Sequence, residues 1–165
     1  MPGKFPTYTH DYFRELRYEY FETYSLWRNG DLKTEGSFSG PDDLIISNSG
    51  ELHATAERIS AVHHSDPAAG ALIHLLATDE SEEVHFMCAP FYRDAIIFYD
   101  QSGNIISTLD ICMSCNHLLL SRTKPIGAGY RSYDGLKKFL LDKGHPIEKP
   151  THFLAEVFEK SNSRK

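Results

Sequence analysis

The stretch DAIIFYDQSGNIISTLDIC, residues 94–112, constrains the fold more than any other part of this 165-residue chain. Two runs rich in β-branched and aromatic residues flank Gln101-Ser102-Gly103-Asn104, and Gly accepts the positive φ that a tight hairpin turn needs. With Ser102-Gly103 at the turn centre, Ile97 pairs with Thr108, Ala95 with Asp110 and Arg93 with Cys112. Successive strand residues point to opposite faces, so Ile96, Phe98, Ile105, Leu109 and Ile111 form one core face. Thr108, Asp110 and Cys112 fall on the other. The preceding run EEVHFMC reads as a further strand. The expected architecture is α+β: a small antiparallel meander (about 84–88, 94–100 and 105–112) covered by N-terminal, middle and C-terminal helices.

Helical periodicity supplies the covering layer. Phe13, Leu16, Tyr20, Tyr24 and Trp27 recur three or four apart, which predicts one long helix from a Thr9 cap to Gly30. Tyr12, Tyr18 and Phe21 lie outside that stripe, so the leftover aromatics either pack on the core or form a partner surface. Leu52, Ala56, Ile59 and Val62 predict a second helix over about Glu51 to His63, capped by Ser49. SDPAAG reads as a break, and ALIHLLA is too short for periodicity to choose between helix and strand. Residues 121–135 read as loop, and Leu136, Phe139 and Leu140 as a short helix stopped by Gly144 and Pro146. A last helix is expected after Pro150, with a frayed SNSRK tail. The length suits a single domain, 1–165, with frayed termini.

The same register makes a claim about the cysteines. There are three, Cys88, Cys112 and Cys115. A meander that runs out to Cys88, back, and out again to Cys112 gathers all three at one sheet end, with His117 close behind. Cys88, Cys112, Cys115 and His117 would supply a Cys3His zinc set, although a lone CxxC is a weak signal. A thiol–disulfide pair is a second reading, and buried thiols filling a sheet end are a third. A Cys-His-Asp nucleophilic set could draw on Asp110 with His85 or His117. His63-His64 falls at a predicted helix end and suits a cap. No HExxH, GxSxG, GxxxxGK[ST] or GxGxxG pattern occurs, so no catalytic residue is assigned and the balance leans away from an enzyme.

Charge and hydropathy limit the partners. A formal charge of −6 disfavours nucleic-acid binding, which rests on cations neutralising phosphates. No stretch is apolar enough to cross a membrane. An odd cysteine count and an N-terminus without an apolar run fit a cytoplasmic setting.

Over residues 84–116, CAPFYRDAIIFYDQSGNIISTLDICMSC resembles a pattern in small uncharacterised bacterial proteins. The pattern is a Cys, a Pro, a Phe-Tyr-Asp strand, a Gly turn and an Ile-Cys-x-x-Cys ending. It transfers no activity and no functional residue. Small acidic α+β proteins of this type are often specific inhibitors, including immunity proteins that neutralise a toxin. The functional expectation is therefore a non-enzymatic protein-binding module of immunity type. Its acidic, aromatic-containing surface would use Asp42, Asp43, Asp79, Glu80, Glu82 and Glu83. The alternative is a zinc or thiol-redox protein built on the cysteine cluster.

Overall fold

A computed structural model describes residues 9–28, 41–78 and 89–147. Among them, six strands form one antiparallel sheet in the order β2-β1-β3-β4-β5-β6, and three helices pack on it. The α+β architecture expected from the sequence is present, with a larger sheet than a three-stranded meander.

The central hairpin follows the expected register. β3 (Asp94–Tyr99) and β4 (Ile105–Cys112) pair Ile97 with Thr108 and Ala95 with Asp110. The Asp100 carboxylate accepts the Ser102 and Asn104 backbone N–H groups, and Gly103 takes φ +81. A bulge between Phe98 and Tyr99 then shifts the pairing, so Tyr99 meets Ile105 and Ile106 is the extra residue. This corrects the placement of Ile105 in the core: one inserted residue breaks the period-2 alternation. Ile105 and Ile106 are instead 44% and 36% exposed.

The long N-terminal helix is not formed. α1 (Thr9–Glu15) spans one short run, and β1 (Tyr20–Ser25) follows. YFETYS alternates as a strand: Phe21 joins the helix-side core and Tyr24 the opposite core. Tyr20, Tyr24 and Trp27 have helical spacing, but aromatic and β-branched residues favour the strand, and pairing with β3 decides. The second predicted helix is likewise replaced by β2 (Glu57–His63), an edge strand antiparallel to β1. ALIHLLA belongs to α2 (Pro67–Ala77). The Asp66 side chain accepts the Ala68 N–H at 2.8 Å and Pro67 occupies the first turn, so SDP is a helix start rather than a break.

After β4, Asn116 in the left-handed region helps turn the chain through the CxxC into β5 (His117–Leu120). β6 (Lys124–Ile126) closes the other edge with Pro125, whose missing N–H is harmless there. α3 (Tyr130–Asp142) ends near Gly144, φ +92, close to the expected stop. The predicted strand at about 84–88 and the helix after Pro150 lie outside the described residues.

The sheet has two differently covered faces. On one, Phe21, Val62, Ile96, Phe98, Leu109, Ile111 and Leu118 pack against Phe13 of α1, Leu72 of α2 and Leu136 of α3. Each large side chain buried this way contributes roughly 1.5–3 kcal/mol. On the other, Leu26, Ala95 and Ile97 pack against Ile45 and Ile46, from the segment after a 3-10 turn at Pro41–Asp43.

Candidate functional site

The chemistry-bearing residues gather on this second, loop-covered face. Thr108, Asp110 and Cys112 stand along one side of β4, as the register requires, and are all buried. Asp110 Oδ1 accepts the Ile45 N–H at 2.8 Å, which pins the covering segment to the sheet. Among the described residues, Asp110 Oδ2 has no hydrogen-bond partner. Burial pushes this carboxyl up to about 7, with the Ile45 N–H and the Arg122 cation pulling the other way.

At the far end, Leu44, Tyr92, Cys112 and Cys115 form one buried cluster. The Tyr92 hydroxyl and His117 Nδ1 are 2.9 Å apart. Burial raises the Tyr92 phenol, helped by Asp110, and lowers the His117 imidazole, so both stay neutral near pH 7. Cys112 is a free thiol, 1% exposed, whose sulfur accepts the Phe91 N–H at 3.3 Å. Cys115 is disulfide-bonded. Its sulfur lies 3.5 Å from the Ala89 carbonyl oxygen, a contact without a proton, since a disulfide has none to donate.

Of the expected zinc ligands, Cys112, Cys115 and His117 therefore stand at one sheet end, and Cys88 lies outside the described residues. A disulfide sulfur carries no thiolate charge, so in this form Cys115 offers a metal no anionic ligand. No Cys-His-Asp relay is hydrogen-bonded among the described residues: His117 Nδ1 engages Tyr92, and Asp110 engages the Ile45 backbone.

The other half of this face is not covered by the segment of residues 44–46. Tyr20, Tyr99 and Ile105 pair across β1, β3 and β4 and so stand in one row. The Tyr20 and Tyr99 rings stack with centroids 4.8 Å apart and planes 11° apart. In the next rows, Glu22 receives the Arg58 guanidinium at 2.9 Å and the Tyr24 hydroxyl, which also meets the Tyr99 hydroxyl at 3.4 Å. Burial raises both phenols; Glu22 ends up lowered because Tyr24 and Arg58 outweigh its own burial. The result is a fixed array of tyrosines with Arg58, Ala61, Ile105 and Ile106 exposed around it. Sequence reasoning missed this array because it assigned Tyr20 and Tyr24 to a helix. The alternation Tyr20-x-Glu22-x-Tyr24 was the available signal.

Of the acidic residues expected to meet a partner, Asp42 is exposed and Asp43 half-buried in the 3-10 turn. Asp79, Glu80, Glu82 and Glu83 lie outside the described residues. No protein-family model, curated protein or solved structure matches this chain.

Proposed function

We propose that this chain is a non-enzymatic protein-binding module whose partner docks on the open half of the sheet. The observation that carries this reading is the row Tyr20–Tyr99–Ile105, held rigid by stacking and cross-strand pairing and edged by exposed Arg58 and Ile106. Tyrosine and arginine are enriched at binding hot spots because they offer large contact area with polar tips. Pre-ordered rings also lose little conformational entropy on docking. The charge of −6 favours a basic partner, and an immunity-type inhibitor that neutralises a toxin fits that balance. Among the described residues, no helix is long and apolar enough to cross a membrane. The Cys115 disulfide favours an oxidising compartment over the cytoplasm expected from composition.

The test is affinity purification from the native host with wild type and an Ile105→Asp/Ile106→Asp variant. A stoichiometric basic protein retained by wild type and lost from the equally stable variant supports the proposal. Equal retention by both places the partner elsewhere.

One observation favours a second reading, thiol–disulfide exchange: free Cys112 and bonded Cys115 share one buried cluster. Attack of the Cys112 thiolate on Cys115 Sγ would form the CxxC disulfide and release the former partner sulfur as a thiolate, with no net oxidation. The zinc alternative, Cys88, Cys112, Cys115 and His117, requires the reduced form. Elemental analysis of reduced protein separates the two: stoichiometric zinc supports the metal, its absence the exchange.

A further inference from the structure

The junction of β1 and β2 carries a second cluster, apart from the cysteines. Glu19, His63 and His64 each present one ligand atom, and these atoms all lie within 4.8 Å of one another. His63 Nε2 is 2.9 Å from Glu19 Oε1, and His64 Nε2 is 3.8 Å from Glu19 Oε2. The backbone sets this arrangement. The Glu19 N–H donates to the Tyr99 carbonyl at 2.8 Å and the His64 N–H to the Glu19 carbonyl at 2.9 Å. The chain leaves β2 at His63, so two consecutive residues that would face opposite ways in a strand bring their rings to 4.3 Å apart.

We propose that Glu19, His63 and His64 form a binding site for a divalent transition-metal ion of the zinc class. Two imidazoles and a carboxylate suit zinc, copper, nickel or iron, whereas calcium and magnesium prefer all-oxygen shells. With zinc–ligand bonds of about 2.0–2.2 Å, donor atoms on a tetrahedral ion sit roughly 3.3 Å apart. The separations of 2.9 and 3.8 Å straddle that value, and the side chains, 34–49% exposed, are free to adjust.

The His63 ring is also held from behind. Its Nδ1 lies 2.7 Å from Ser65 Oγ and 3.2 Å from the Ser65 nitrogen, which donates to it. Without an ion, that backbone donor keeps the ring proton on Nε2, facing Glu19. With an ion on Nε2, the proton moves to Nδ1, the Ser65 N–H gives up that acceptor, and the Nδ1–H is donated to Ser65 Oγ, the outer-shell contact that orients metal-bound histidines. Ser65 is thus a positioning residue and not a ligand. Three protein ligands leave a tetrahedral position open for water or for a donor from another molecule.

Calorimetric titration of the oxidised full chain with ZnCl2 tests the site, because the Cys115 disulfide then removes one competing thiolate. The expected result is a single equivalent bound, weakened at least tenfold by His63→Ala or His64→Ala. Ser65→Ala should weaken it by roughly 10–100-fold while all three ligands remain. Bound Co2+ should show the visible absorption of a four-coordinate site in wild type and lose it in His63→Ala. The residues are partly exposed, so unchanged thermal midpoints of the metal-free variants exclude unfolding as the cause. Failure of wild type to bind zinc overturns the proposal. So does undiminished binding by the His63→Ala/His64→Ala double variant.

Discussion

His145 Nδ1 lies 2.7 Å from Asp94 Oδ1, and the same carboxylate holds the Arg28 guanidinium through both oxygens, at 2.7 and 3.0 Å. Asp94 opens β3, His145 follows α3, and Arg28 follows β1, so one buried carboxylate joins three parts of the fold. Trp27, with φ +59, turns the chain so that Arg28 comes back to the Asp94 end of the sheet. Burial alone would raise the Asp94 carboxyl, but His145 and Arg28 outweigh it and hold it below the ordinary range.

Asp94→Asn is expected to cost about 3 kcal/mol, the low end for breaking a buried pair, because it leaves the half-buried Arg28 charge without its counter-ion. The native carboxyl titrates below its unfolded value of about 3.9, so its stabilisation is present above that pH and lost as pH falls below it. Urea unfolding of wild type and variant from pH 3 to 6 checks both statements. Equal stabilities at pH 6 would contradict them.

Asp110 has the opposite sign. Its folded value of about 7 exceeds the unfolded one, so the native state holds a proton that the unfolded chain releases. Stability from this group is full below about pH 4 and declines as pH rises to about 7, by at most roughly 4 kcal/mol at about 1.4 per unit. Asp110→Asn keeps the acceptor for the Ile45 N–H and should flatten that decline. Thermal unfolding of both proteins at pH 5 and pH 8 reads the difference; parallel curves would rule it out.

The cysteines predict a thiol count. Native oxidised protein should react slowly with a thiol reagent, since Cys112 is buried and Cys115 bonded. Denatured protein should show a single thiol, and reduced protein all three. Peptide mapping would identify the sulfur bonded to Cys115. Loss of the bond in Cys115→Ser should cost about 2–4 kcal/mol. Three thiols in the denatured, unreduced protein would refute the assignment.

Gly103 sits at φ +81 in the β3–β4 turn. Gly103→Ala should destabilise by about 1–2 kcal/mol, the cost of placing a Cβ in the left-handed region. Equilibrium unfolding measures it, and an unchanged midpoint would show that the turn relaxes.

The hairpin was legible because turn chemistry, β-branched composition and alternation agree over residues 94–112. The bulge that exposes Ile105 was not, since a single inserted residue leaves no mark in composition. Tyr20, Tyr24, Ile59 and Val62 satisfy a helical spacing and a strand composition equally, and only pairing with β3 and β1 chooses between them. The Asp66-Pro67 helix start was readable and misread as a break. For the candidate site, the face shared by Thr108, Asp110 and Cys112 followed from alternation. The tyrosine row and the Glu19–His63–His64 cluster depend on the β1–β2 pairing, which periodicity hid.

The most direct measurement of the binding proposal is photo-crosslinking from the sheet face itself. A benzophenone amino acid at Ile106 should capture the partner in host extract, and the same probe at exposed His74, on the helix-covered side, should not. Capture from His74 with none from Ile106 would contradict the account.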